Sequence, residues 1–371
     1  MVATSNKPQQ SSQLRKFSRI LPERRQRQEN YVQTNSKQRQ NVPIFDPDEI
    51  IFGSMLGRGS FNTVYSLHAI DLDQQVQDSL RDNDDRRIRL SSEVIHNPNL
   101  FAVKMLSVLT LADNEILEAA ACDLASEAKL LSNLSHPNII RLHGLCIKGI
   151  CGLDEQIEGP FFLILDRMQC TLEDELLKWQ ERGRKPSFEK RLHYASRISS
   201  ALSYLHSMKI LHRDIKPDNI AFDLKGELKL IDFGLSAVLD DTRRLKKSKL
   251  YRLTAKTGSP AYWSPENSLG LPYGLSSDVY SFSVVLYEIL TGTFSFQAMD
   301  KSEHHDRVIL GGLRPQIPKN LPKIIQSLLW CGWSTDLDER PSMNVTHRVL
   351  KQELKTRIGL RKQKDSEAYF I

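Results

Sequence analysis

His212-Arg213-Asp214-Ile215-Lys216-Pro217-Asp218-Asn219, followed thirteen positions after Asn219 by Asp232-Phe233-Gly234, decides the fold of this 371-residue chain. Two short apolar runs fill the interval, Ile220-Ala221-Phe222 and Leu228-Lys229-Leu230-Ile231, with Gly226 between them. Strand-forming runs around a glycine turn predict a β-hairpin. The plain structural reading of the flanking Asp and Asn residues is that they cap a helix or strand end.

Taken together, the two stretches resemble the catalytic loop (H-R-D-x-x-x-x-N) and the D-F-G motif of the eukaryotic protein kinases. D-F-G alone is common by chance; the eight-residue match at the right distance from it is not. The resemblance implies roles. Asp214 would accept the proton of the attacking hydroxyl or orient it. Asn219 and Asp232 would be the metal ligands, supplying the hard oxygens that Mg²⁺ prefers. Lys216 would sit near the transferred phosphate as a point charge. Arg213 would be available to a phosphate on the activation segment. Phosphoryl transfer is mostly positioning and charge stabilisation, which explains these residue types.

Outward from this centre the resemblance runs from about residue 50 to 350. Gly57-Arg58-Gly59-Ser60-Phe61-Asn62-Thr63-Val64 is similar to the family's glycine-rich loop, with Asn62 in place of the third glycine. Asn tolerates positive φ, so the turn is expected to survive; nucleotide affinity is what the change puts in question. A plain glycine hairpin is the bland alternative. Phe101-Ala102-Val103-Lys104 resembles the V-A-I-K strand, which implies that Lys104 holds the α- and β-phosphates. A helix is predicted from about Asp113 to Leu134, with Leu124, Glu127, Ala128, Leu131 and Leu134 on one face. Glu127 is the chosen partner of Lys104, over Glu115 and Glu118 on the same helix. Phe161-Phe162-Leu163-Ile164-Leu165 reads as a buried strand. By resemblance Leu165 guards the back of the nucleotide pocket, and Asp166-Arg167-Met168 forms the adenine-binding hinge. The implied nucleotide site is therefore Gly57, Arg58, Gly59, Ser60, Phe61, Val64, Ala102, Lys104, Leu165, Asp166 and Met168. Leu192, Ala195, Ile198, Leu202 and Leu205 make a helical core stripe leading into the catalytic loop.

Asp232 to Glu266 would be the activation segment. Its end, Gly258-Ser259-Pro260-Ala261-Tyr262-Trp263-Ser264-Pro265-Glu266, resembles G-T-x-x-Y-x-A-P-E of Ser/Thr kinases. Ser259 keeps a hydroxyl expected to bridge Asp214 and Lys216. Lys216 itself is typical of Ser/Thr kinases. Arg243, Arg244, Lys246, Lys247 and Lys249 form a basic run that reads either as a solvated face or as part of an order–disorder switch. Phosphate at Ser248, Thr254 or Thr257, and more weakly Tyr251, would drive that switch by pairing with Arg213. Ser277-Asp278-Val279-Tyr280-Ser281-Phe282 resembles the D-V-W-S-F-G helix start, which implies that Asp278 holds the catalytic loop from below. Asp338-Glu339-Arg340-Pro341 resembles D-x-R-P, implying an Arg340 pair with Glu266.

Net charge is +6, but residues 1–42 carry nine Lys or Arg against Glu23 and Glu29, leaving −1 for the remainder. The basic balance thus describes the tail and does not argue for a nucleic-acid-binding domain. The five scattered cysteines suit a reducing compartment. No apolar run reaches the roughly 20 residues of a membrane span, and no secretory leader is read at the N-terminus.

The expected organisation is a basic disordered tail (1–44), a kinase domain (45–352) and a C-terminal tail (353–371). In the domain, an N-lobe (45–165) has an antiparallel sheet and one main helix, and a larger C-lobe (169–352) is mainly helical. The fold class is α+β, bilobal and protein-kinase-like, with ATP and Mg²⁺ in the cleft. Residues 71–99 are a polar surface insertion, read as a mobile neutral loop or a docking element. Leu14, Phe17, Ile20 and Leu21 among basic residues leave the tail open to four readings: solvated, transit peptide, membrane-surface helix or docking site. The activity implied is Ser/Thr phosphorylation of protein substrates in the cytoplasm, with an upstream activating kinase as partner; an organelle or nuclear address in the tail is the alternative location. The competing readings are a pseudokinase scaffold, a dual-specificity or tyrosine kinase, and a small-molecule kinase. The complete set Lys104, Glu127, Asp214, Asn219 and Asp232 argues against the scaffold.

Overall fold

The computed structural model describes residues 42–59, 61–72, 82–107, 114–146 and 161–368; the side chains of 82–83, 114–119 and 361–368 fall outside the description. The chain divides into two compact units of an α+β fold. One comprises residues up to Ser135 together with Ile140–Arg167, the other His136–Ile139 with Met168 onward.

The first unit is built on a five-stranded antiparallel sheet. Its strands are β1 (Ile50–Arg58), β2 (Asn62–Ile70), β3 (Phe101–Leu106), β4 (Leu142–Cys146) and β5 (Phe162–Asp166), in the order β1-β2-β3-β5-β4. Phe162 to Leu165 are all buried, the pattern of a strand covered on both faces. Among the described residues two α-helices belong to this unit, α1 (Asp82–His96) and the main helix α2 (Asn114–Leu131). The side chains of Val103, Phe162 and Ile164 join one core cluster with Phe45, Ile50, Leu67, Ile70 and Phe101. Lys104 lies on the opposite face, because successive strand residues alternate.

The insertion is where the sequence reading needs correction. Residues 82–96 form α1, and residues 73–81 lie outside the described residues. Leu90 and Val94, one helical turn apart, enter the same cluster as Val103. Each such burial is worth about 1.5–3 kcal/mol. Ser91 Oγ donates to the Ile70 carbonyl at 2.9 Å. Arg87 pairs with Glu49 and stands over the Phe45 ring, 5.6 Å from its centroid. The segment is therefore a packed layer on the sheet face opposite Lys104. Its polar composition hid it: Leu90 and Val94, with Ile88 packed beside them, dock a helix that is otherwise mostly Asp, Arg, Ser and Glu.

A second correction concerns Asn62. It opens β2, paired with Leu106, and is not among the residues with positive φ. The turn is closed by Gly59 N–H donating to the Asn62 carbonyl at 2.8 Å. The backbone carbonyl, not a left-handed conformation, does the work expected of the third glycine.

The second unit is mainly helical. A three-stranded sheet of β6 (Met168–Thr171), β8 (Ile220–Asp223) and β9 (Leu228–Leu230) and a two-stranded ribbon of β7 (Ile210–Leu211) and β10 (Ala237–Val238) support the loops. The predicted hairpin is β8–β9, paired from Ile220↔Leu230 to Phe222↔Leu228. The helices are α3 (Leu172–Glu181), α4 (Phe188–Ser207), α5 (Pro265–Leu269), α6 (Ser276–Thr291), α7 (Lys301–His304), α8 (Lys323–Gly332) and α9 (Met343–Ala368). Thr171 starts α3 with a reciprocal cap: its Oγ1 accepts from Asp174 N, and Asp174 accepts from Thr171 N. The stripe Leu192, Ala195, Ile198, Leu202 and Leu205 is fully buried. Helix α6 is buried along almost its whole length and forms the floor of the loops. Helix α9 runs through residue 352, where the sequence suggested a boundary; residues 369–371 lie outside the description.

Candidate active site

Within the first unit, strand pairing sets Lys104 between Val64 on β2 and Leu163 on β5. Its Nζ donates to Glu127 Oε2 at 2.7 Å. Glu127 is 2% exposed, so this partly buried pair is little screened by solvent. The side chains of Glu115 and Glu118 lie outside the described residues. Ala102 pairs with Leu165, and Gly57 and Arg58 pair with Val64 and Thr63. Ser60 lies outside the described residues, and Phe61 presents its carbonyl to Ser107 N at 2.8 Å. The Asp166 carboxylate is already committed: it accepts from Arg141 N at 2.9 Å and contacts His143 Nε2 at 2.8 Å.

Within the second unit, Met168 opens β6, paired with Asp223. The loop from His212 to Asn219 hangs from Asp278 at the start of α6. One carboxylate oxygen accepts from Arg213 N at 3.0 Å; the other accepts from His212 N at 2.9 Å and meets His206 Nε2 at 3.0 Å. Burial alone would push the Asp278 carboxyl up. The hydrogen bonds and charge of His206, with the His212 N–H, outweigh it and hold the group below its ordinary value. Arg213 follows with φ +68°, a strained conformation this latch maintains.

Asp214 is 8% exposed and accepts on both oxygens. Ser259 N–H donates to Oδ1 at 2.8 Å, Asn219 Nδ2 donates to Oδ2 at 2.8 Å, and Lys216 Nζ stands 3.4 Å from Oδ2. The same Asn219 nitrogen donates to the Asp214 carbonyl at 2.8 Å. The expected Ser259 hydroxyl bridge is thus replaced by a backbone contact. Ile231 N donates to the Asn219 carbonyl at 2.9 Å, so the hairpin brings the residue before Asp232 back to Asn219. Asp232 has φ +60°, and Phe233 is buried edge-on against His212 at 5.0 Å between centroids.

Three further acidic or phenolic residues, Tyr262, Glu288 and Glu173, have contacts that the sequence reading did not anticipate. Tyr262 OH donates to Glu288 Oε2 at 3.2 Å, and Ser295 N donates to Glu288 Oε1 at 2.9 Å. Burial pushes the Glu288 carboxyl up to about 8, and burial followed by the Glu288 charge raises the Tyr262 phenol. A hydrogen bond with Asp218, then partial burial, raises Glu173 to about 7. The available signal was Glu288 itself, a lone acid inside the apolar run Val284-Val285-Leu286-Tyr287-Glu288-Ile289-Leu290.

The donor set fits Mg²⁺. That ion takes few protein oxygens and completes its shell with phosphate and water. With its nitrogen committed to Asp214, Asn219 has its carboxamide oxygen left to offer, and the hairpin returns the chain to Asn219 one residue before Asp232. Among the described residues no cluster of three or more His, Cys, Asp or Glu could form an all-protein metal cage.

A two-unit α+β fold with this loop geometry defines a class, and comparison with known proteins agrees. The protein kinase domain model matches residues 92–361, and the chain belongs to that family. The match begins inside α1, after the glycine-rich loop. A probable serine/threonine-protein kinase of Dictyostelium discoideum is 32% identical over 60% of this chain. The dual specificity protein kinase pyk3 of the same organism is 29% identical over 67%, and the serine/threonine-protein kinase STY46 of Arabidopsis thaliana 30% over 64%. The chain spans only 13%, 16% and 38% of these relatives' lengths. Among the described residues no helix is long and apolar enough to cross a membrane.

Proposed function

We propose that this protein is an ATP- and Mg²⁺-dependent kinase that phosphorylates Ser and Thr hydroxyls of protein substrates. The observation that carries the reading is Asp214, held on both oxygens by Ser259 N–H, Asn219 and Lys216. A carboxylate fixed in this way is oriented before the substrate arrives, which is the main protein contribution to phosphoryl transfer.

In this mechanism Asp214 accepts the proton of the acceptor hydroxyl as its oxygen attacks the terminal phosphorus. The bond to the bridging oxygen breaks and its electrons leave with the diphosphate. Lys216 offsets charge developing on the transferred group. Lys104, oriented by Glu127, holds the inner phosphates, with Gly57, Arg58, Gly59, Ser60, Phe61, Val64, Ala102, Leu165, Asp166 and Met168 forming the nucleotide site. Asn219 and Asp232 hold the metal. Bound ATP·Mg²⁺ supplies the phosphoryl donor and the neutralising divalent charge.

Regulation by activation-segment phosphorylation, through an upstream kinase, is part of the proposal. Arg213 Nε donates to the Leu235 carbonyl, while its Nη1 is buried with no hydrogen-bond partner among the described residues. Such an orphaned guanidinium nitrogen is suited to a phosphate oxygen. Tyr251 is 6% exposed, which favours Ser248, Thr254 or Thr257 as the acceptor. The free state of Cys122, Cys146, Cys170 and Cys331 supports a reducing, cytoplasmic location.

The test is transfer from γ-labelled ATP with Mg²⁺ to a generic protein substrate, beside Asp214→Asn. Phosphoserine or phosphothreonine that disappears in the variant is the expected result. Phosphotyrosine as well would support the dual-specificity reading, which the resemblance to pyk3 favours. ATP binding without transfer, by the parent protein and by phosphomimetic variants at Thr254 and Thr257 alike, would sink the enzyme reading in favour of a scaffold.

A further inference from the structure

Residues 243–252 carry six cations (Arg243, Arg244, Lys246, Lys247, Lys249 and Arg252) and no acid. An extended solvated loop would let these charges separate. Here the chain folds back on itself. Leu245 N donates to the Leu250 carbonyl at 2.9 Å, and Arg252 N to the Arg243 carbonyl at 3.0 Å. Arg244 Nε donates to the Ser248 carbonyl at 2.6 Å, and Lys247 makes the turn at φ +55°.

The anchor of this hairpin is apolar. Tyr251 and Tyr273 exchange backbone hydrogen bonds at 2.9 and 3.1 Å and form a small core with Leu211 and Leu239. Lys249 presses its carbonyl against Gly274, where an added Cβ would lie 2.6 Å away. The cations contribute nothing to that core. Lys246, Lys247, Lys249 and Arg252 are exposed and form no ion pair among the described residues; only Arg244 has an acidic neighbour, Asp241 at 4.0 Å. Like charges held at close range raise the local potential and attract polyanions.

We propose that this hairpin is a docking surface for an acidic segment flanking the acceptor residue of the protein substrate. The inference rests on the kinase reading. Two observations favour a peptide over a nucleic acid. Tyr251, the one aromatic residue of the hairpin, is buried, so no ring is offered to a base. The same segment also continues to Ser259, whose N–H is bonded to Asp214. Ser259 lies seven positions after Arg252, a span of at most about 25 Å of extended chain. A substrate hydroxyl at Asp214 thus leaves its flanking residues within reach of the cations.

The experiment uses the full chain, without nucleotide, and fluorescence anisotropy of a labelled serine peptide bearing a run of Asp and Glu. The control peptide has Ala at those positions. The acidic peptide should bind at least about tenfold more tightly at low salt, with the gap closing as salt rises. K246A/K247A/K249A should abolish the gap and K246R/K247R/K249R should keep it, both with parental thermal melts. Equal binding of the two peptides, or a gap that survives the alanine variant, would overturn the proposal. So would duplex DNA of matched charge binding more tightly than the acidic peptide. Binding that persists while no phosphate is transferred supports the docking surface and counts against the transfer reading alone.

Discussion

The backbone N–H of Ser259 donates to the carboxylate of Asp214 at 2.8 Å, while the Ser259 hydroxyl makes no described contact with it. Main chain, not side chain, ties the activation segment to the proposed base. The preceding Gly258 makes this possible. It sits at φ +91°, and a Cβ there would fall 2.3 Å from the Arg213 carbonyl oxygen.

The first prediction separates these neighbours. Gly258→Ala should lower kcat/KM by about a hundredfold or more, since a shift near 1 Å at the reacting group has that effect. Ser259→Ala should lose less than about tenfold, because the N–H is retained. Steady-state kinetics decides; comparable losses in both variants would show that the hydroxyl is used after all.

A second prediction concerns Arg340 and Glu266. Their bidentate pair, at 2.7 and 3.0 Å, is buried, with the Arg340 side chain 0% exposed. Arg340 also donates to the Ser276 and Ser334 carbonyls and stands 5.2 Å from the Tyr280 ring centroid. Arg340→Ala strands a buried carboxylate, for which about 3–5 kcal/mol of stability is lost. Arg340→Lys should recover only part, since an ammonium cannot reproduce the planar fork. Urea unfolding measures both, and an unchanged midpoint for the alanine variant would refute the account.

The third prediction is a pH dependence. Glu288 has a folded value of about 8 against an ordinary 4.5. Between these limits the native state holds a proton that the unfolded chain has released, so stability falls as pH rises across that window. Glu288→Gln should flatten this part of the profile. Asp278 has the opposite sign: depressed below 3.8, it contributes stability above that pH and loses it as pH falls further. Denaturant midpoints taken across both ranges test the two signs, and a Glu288→Gln profile parallel to the parent would reject the first.

Much of the second unit was legible because its central loops are written in contiguous residues. His212 to Asn219 and Asp232 to Gly234 name themselves, and the hairpin between them follows from Gly226 and two apolar runs. The stripe on α4 was equally plain, since helical spacing and burial coincide. What could not be read were relationships between distant side chains in mostly polar or mostly apolar surroundings. Helix α1 buries only Leu90 and Val94 of its aliphatic residues, with Ile88 packed beside them, which is too little apolar signal for a periodicity to register. Glu288 stands out in sequence only as a lone acid in an apolar run; that Tyr262 and Ser295 close over it could not be read. Ser259 was correctly singled out, but sequence cannot tell a hydroxyl contact from one made by the main chain.

The strands β2 and β3 lie side by side, with Ser66 facing Ala102, yet residues 71–100 separate their ends. Bringing them together closes a loop about eight times longer than a tight turn. At roughly 0.6 kcal/mol for each doubling, this adds about 2 kcal/mol of chain entropy to the pairing step. The β8–β9 hairpin, by contrast, closes over a few residues. Folding should therefore be ordered in time, with amides of β8 protected from exchange before those of β3 in a pulse-labelling experiment. A chain freshly diluted from denaturant would possess the strand leading to Asp232 while the strand of Lys104 was still searching for its neighbours.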